Sequence, residues 1–136
     1  MNTYYINDED FINSDIYKDF LKENPVTGNL RIRAYAANQA LPISGIRVVV
    51  SKEFDNNTLV FFDGFTDDSG LIERLSLPAP KLDSNDMNVP NKATYDITAT
   101  YVTDNITTRY KVNIYENVCV VQNIVIVPEM NKIGDA

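Results

Sequence analysis

Two short runs constrain this chain more than anything else in it: Ile46 to Ser51 and Thr58 to Phe62. Ile46, Val48 and Val50 fall on one side of an extended strand, and Arg47, Val49 and Ser51 on the other. Thr58 to Phe62 is a second β-branched and aromatic run. A polar loop, Glu53 to Asn57, separates the two. Asp67-Asp68-Ser69-Gly70 then supplies turn chemistry, with Gly70 free to take a positive φ. The stretch from Leu41 to Gly70 therefore reads as the seed of a β-sandwich core, and it holds no catalytic constellation.

The flanking sequence extends this pattern. Leu30, Ile32 and Ala34 alternate with Arg31, Arg33 and Tyr35, which predicts a half-buried strand from about Gly28 to Ala37. Leu71 to Leu77 reads as another, ended by Pro78-Ala79-Pro80. Tyr95 to Val102 and Arg109 to Ile114 form an antiparallel hairpin turned at Asp104-Asn105. Tyr35, Tyr101, Tyr110 and Tyr115 are expected to pair across strands on the sheet. Val118 to Val127 is nearly continuous in Val and Ile, which predicts a central strand covered on both faces. The total is about seven strands in an antiparallel sandwich, all-β and of Greek-key type, not a set of βαβ units. The expected layout is an arm with a helix over 1–27, the sandwich over 28–128 and a tail over 129–136.

Before the sandwich, Ser14 or Asn13 can cap a helix over Asp15 to Glu23, with Asp15 in its first turn. Ile16, Tyr17, Phe20 and Leu21 share one face, and Asn24-Pro25 stops the helix. So short a helix persists only if that face packs on the sandwich or on a partner. Residues 1–12 mix Tyr4, Tyr5, Ile6, Phe11 and Ile12 with Asp8, Glu9 and Asp10. Two readings stand: a disordered arm, or an arm that docks on a neighbouring subunit.

Charge and composition narrow the function classes. A net charge of −7 argues against nucleic acid and disfavours anionic membrane. No apolar run is long enough to span a bilayer, and the first residues do not read as a secretion signal. Any surface location then needs another exit, such as cell lysis or assembly inside a mother cell. The chain has no histidine, the commonest general base and zinc ligand, and one cysteine, Cys119, expected to be a buried strand thiol.

Three segments carry a family resemblance. Gly28-Asn29-Leu30-Arg31-Ile32, Ala40 to Val48 and Thr66-Asp67-Asp68-Ser69-Gly70 resemble the opening strand, the Pro-Ile-x-Gly segment and the Thr-Asp-x-x-Gly turn of transthyretin-like domains. These include the carboxypeptidase regulatory-like and Cna B-type modules of bacterial surface proteins. Leu77 to Pro80, Thr94 to Thr98, Gln122 to Pro128 and the preceding Phe20 to Pro25 are similar to a subgroup from spore-forming Firmicutes. The resemblance implies the sandwich fold and leaves function open, since such domains serve as spacers, adhesins and binding modules. Cna B-type modules often join a first-strand lysine to a last-strand asparagine. Here the first strand offers Arg31 and Arg33, and Asn123 has no lysine partner there. The hydroxyisourate hydrolases of the wider fold need histidines, which this chain lacks.

Asp67, Asp68, Asp83 and Asp86 are candidate calcium ligands, weighed against turn-forming acids, and the latter is preferred. No metal or cofactor is assigned, and the chain is expected not to be an enzyme. The leading expectation is a structural subunit that self-associates, into a filament or a surface layer on a spore or cell. Its interface would be Tyr4, Tyr5, Ile6, Phe11, Ile12, Ile16, Tyr17, Phe20 and Leu21. Deleting residues 1–24 would then leave a folded monomer. The alternatives are a module binding cell-wall glycan or a protein through the 81–93 loop, and a phage structural component.

Overall fold

The computed structural model describes residues 2–37, 41–82 and 91–127. Eight strands, β1 (Asn2–Tyr5), β2 (Val26–Ala36), β3 (Ile46–Phe54), β4 (Asn57–Phe65), β5 (Leu71–Ala79), β6 (Ala93–Tyr101), β7 (Ile106–Ile114) and β8 (Cys119–Ile126), form two facing sheets. Two helices, α1 (Glu9–Ile12) and α2 (Asp15–Glu23), lie between β1 and β2. One sheet has the order β1-β4-β3-β6-β7 and the other β5-β2-β8. The expected β-sandwich is the fold observed.

The organising pair closes more tightly than its sequence suggests. Phe54 pairs with Asn57, so Glu53 to Asn57 is a tight hairpin turn through Asp55, at φ 53°, and not a loop. Ile46, Val48 and Val50 are fully buried, as their alternation predicts. Leu30, Ile32, Ile97, Ile114 and Ile124 meet them from the neighbouring strands and the facing sheet. A Cβ at Gly28 would fall 2.1 Å from the Tyr115 carbonyl oxygen, so no larger residue fits where β2 passes the end of β7.

The Thr-Asp-x-x-Gly segment is a clasp. Thr66 Oγ1 accepts from the Ile46 amide at 3.0 Å and donates to the Ile43 carbonyl at 2.8 Å, which ties the start of β3 to the end of β4. Asp67 Oδ1 accepts from the amides of Ser69 and Leu71, and Gly70 takes φ +74°. Two of the three segments that carry the family resemblance therefore meet at this corner, through Ile43, Ile46, Thr66, Asp67 and Gly70.

Three expectations need correction. First, the sheets are mixed: β1 runs parallel to β4, and β2 parallel to β8. Second, β8 is an edge strand paired only with β2 among the described residues, with Val121 and Val127 exposed and Cys119 exposed as well. An apolar run without alternation does not distinguish a strand covered on both faces from one left open. Third, Pro78 does not end β5 but lies within it, on a sheet edge where a missing N–H costs no ladder bond. Tyr101 and Tyr110 do sit opposite other residues, Ile106 and Ile97, rather than one another.

Five strands over three leave part of the larger sheet uncovered, by roughly two strand spacings or about 10 Å. The helices fill that space. Ser14 Oγ accepts from the Tyr17 amide and starts α2, as predicted. Phe11, Tyr17 and Phe20 then point inward and crowd Phe54 at the end of β3, with ring centroids 5.0–6.4 Å apart. Phe20 continues to Phe61, and Phe61 meets Tyr95 edge-on at 5.1 Å.

Candidate assembly surfaces

The nine N-terminal residues expected to contact a neighbour divide in two. Phe11, Tyr17 and Phe20 are buried in the core of their own subunit, and Tyr4 and Ile12 pack against it. Those five are not free to form an interface, because one helical face cannot cover its own sheet and a partner at once. Tyr5, Ile6, Ile16 and Leu21 remain exposed, at 38–47% of their surface. They sit among acids: residues 2–24 carry six acidic side chains against two lysines. The N-terminus is neither a loose tail nor an extended arm, since Asn2–Tyr5 pairs in register with Asn57–Val60.

Sequence reading misses Lys52. Its Nζ lies 5.8 Å from the Phe20 ring centroid and 5.4 Å from that of Tyr95, and it donates to the Thr94 carbonyl at 2.7 Å. Burial pulls its pKa below the usual lysine value. The ammonium thus straps α2 to β6 from beneath, beside a cavity of about 560 Å³ lined by Phe20, Asn24, Lys92 and Thr94. The alternation does place Lys52 on the same side as Ile46, Val48 and Val50, but its hydrophilic neighbours Ser51 and Glu53 mask that signal.

The outer face of the larger sheet is polar. Arg47 grips Asp63 through two bonds of 2.7 and 3.0 Å, which holds the Asp63 carboxyl below its usual pKa. Lys111 bonds Asp96 at 2.7 Å beside an open groove of about 490 Å³ that also holds Glu53 and Arg109.

At the far side, β8 presents a different surface. Cys119 to Val127 contains no charged residue, no proline and no bulge in its register with β2. The other edges are each interrupted. β7 carries Arg109 and Lys111, β5 has a register break opposite Leu30–Ile32 and includes Pro78, and β1 is four residues long. Charges, prolines, bulges and brevity are the usual guards of an exposed edge, and β8 has none of them. Arg33 lies opposite Asn123, so the asparagine's neighbour on β2 is a guanidinium.

Of the calcium candidates, Asp67 is engaged in its own turn and Asp68 is exposed, while Asp83 and Asp86 lie outside the described residues, as does most of the 81–93 loop.

No protein-family model matches the chain, and no curated protein does. Solved structures do. (S)-allantoin synthase aligns with a TM-score of 0.53 at 12% identity, over 78% of this chain and 42% of its own. The 5-hydroxyisourate hydrolase of Klebsiella pneumoniae aligns at 0.46 and 17% identity, over 74% of this chain and 85% of its own. BcpA, the major pilin subunit of Bacillus cereus, aligns at 0.44 and 19% identity, over 74% and 29%. The chain spans less than half the length of the synthase. That protein is named for catalysis, so the expectation that this chain is not an enzyme is corrected: a fold that hosts a synthase gives no ground for excluding chemistry. Missing histidines bear on one mechanism and not on the fold's capacity. What the likeness shows is the fold itself, a transthyretin-like β-sandwich.

Proposed function

We propose that this chain is a structural subunit that self-associates, building a filament or a surface layer on a spore or cell. One observation carries the reading: β8 is a chargeless edge, unguarded among the described residues. Such a row of unpaired backbone groups is a template for another chain. The exposed Tyr5, Ile6, Ile16 and Leu21 supply a second adhesive surface, the remainder of the N-terminal interface expected from sequence. The two surfaces are different, and contact between unlike surfaces repeats without closing. The likeness of Phe20 to Pro25 and of the later strands to domains of spore-forming Firmicutes supports a spore-surface location.

The test is mass against concentration, by light scattering after size exclusion, with negative-stain electron microscopy of the concentrated protein. The expected result is a mass that grows with concentration and linear or layered particles. A single species of about 15 kDa at every concentration would overturn the proposal.

A further inference from the structure

The self-association proposed above leaves open which surfaces meet, and charge decides among the pairings. The sheet β5-β2-β8 carries Arg31, Arg33 and Arg74 against one acid, Glu73, in a chain of net charge −7. Arg31 reaches Glu73 at 3.4 Å, while Arg33 stacks on Tyr35, with no carboxylate on it among the described residues. Arg31 and Arg33 stand opposite Val121 and Asn123, one strand in from the open edge. Arg31 and Arg33 therefore border the apolar β8 edge, while Arg74 lies on β5 at the other edge of the sheet. On the N-terminal layer the pattern is the reverse, with exposed apolar groups set among Asp8, Glu9, Asp10 and Asp15.

These two surfaces begin at different edges of the sandwich. β1 and β7 are the two edges of the larger sheet, four strand spacings or about 19 Å apart, and β8 runs beside β7. Two β8 edges meeting each other would bring arginines towards arginines. Two N-terminal layers would bring acids towards acids, and like charges facing across an interface are strongly unfavourable. Only the unlike pairing is complementary in both charge and apolar surface.

We infer that the β8 edge of one copy, with its border of Arg31 and Arg33, receives the acidic and apolar N-terminal layer of a second copy, head to tail. The inference rests on the self-association reading and adds to it the partner surface and its chemistry. It makes assembly sensitive to salt, because the pairing charges sit on exposed faces.

The parent chain is compared with four variants by light scattering and electron microscopy, each first shown by thermal melting to be folded. Val121→Lys places a charge on the open edge. Arg31→Glu with Arg33→Glu reverses the basic border. Glu9→Lys with Asp10→Lys reverses the acidic layer, and a fourth chain combines both reversals. The concentration needed for assembly is expected to rise about tenfold or more for each of the first three, corresponding to about 1.4 kcal/mol. The chain with both reversals is expected to regain assembly, which a merely damaged fold would not do. If the parent assembles and all four variants assemble equally well, the head-to-tail pairing is wrong while self-association stands. If each reversal weakens assembly and the combined chain stays dispersed, charge pairing between these two surfaces is also wrong. A parent that never assembles overturns the reading beneath it, and the pairing with it.

Discussion

The two ends of the chain invert each other. The N-terminal segment reads as a surface and turns out to supply core: Phe11, Tyr17 and Phe20 are almost wholly buried against Phe54. The last strand reads as covered on both faces and turns out to be partly open: Ile124 and Ile126 are buried, while Val121 and the flanking Val118 and Val127 are exposed by 42–62%. Apolar content is similar in kind at both ends. What differs is what stands opposite. The larger sheet overhangs the smaller one and needs a cover, which the helices provide, while β8 comes last in its sheet with one neighbour. Hydrophobic density says that burial is favourable, and it does not say whether the burying partner is in the same chain.

The strongest way to break this contrast is to remove residues 1–24. If the segment were a docking arm, the remainder would stay folded. We expect instead the loss of most of the about 5–15 kcal/mol that stabilises such a domain, because Phe54 and Phe61 would be laid open. Circular dichroism melting would then show no cooperative transition, and a truncated chain that melts like its parent would restore the arm. A finer cut is Phe20→Ala, which leaves a cavity under Lys52 and is expected to cost about 3–5 kcal/mol by urea denaturation.

Alkaline titration gives a third, smaller effect on the same side of the molecule. Burial raises the pKa of both Tyr17 and Tyr95 above the ordinary tyrosine value of 10.0. The unfolded chain then loses these protons first. Their stabilising contribution is complete below about pH 10 and declines as pH rises through the range between the unfolded and folded values. Melting temperature should fall above about pH 10, and less steeply in Tyr95→Phe. The smallest change is expected at the other end: Val121→Lys should shift monomer stability by only about 0.5 kcal/mol or less, since the side chain already meets solvent. A loss as large as that of Phe20→Ala would mean that β8 is packed after all.

Much of the fold was legible because it is local. Alternation located β2, β3, β6 and β7, a β-branched and aromatic run located β4, Ser14 marked the start of α2, and Asp67 and Gly70 marked their turn, since each depends on side-chain character, side-chain direction or backbone φ within a few residues. The four-residue β1 and α1 were not legible, being too short for a period to show. Lys52 was missed for another reason: counting on from Ile46, Val48 and Val50 does place it on the inner face, but its hydrophilic neighbours Ser51 and Glu53 mask that signal, and its ring partners Phe20 and Tyr95 come from distant parts of the chain.

By itself, then, the order of residues determined the class of fold, most strand positions and the shape of the Thr66–Gly70 corner, all of which follow from short-range sterics and hydrogen bonding. Only the tertiary structure decided which sheet each strand joins, which strand is left at an edge, and which apolar face is covered from within. Those outcomes depend on contacts between residues far apart in the chain, and on one sheet being wider than the other.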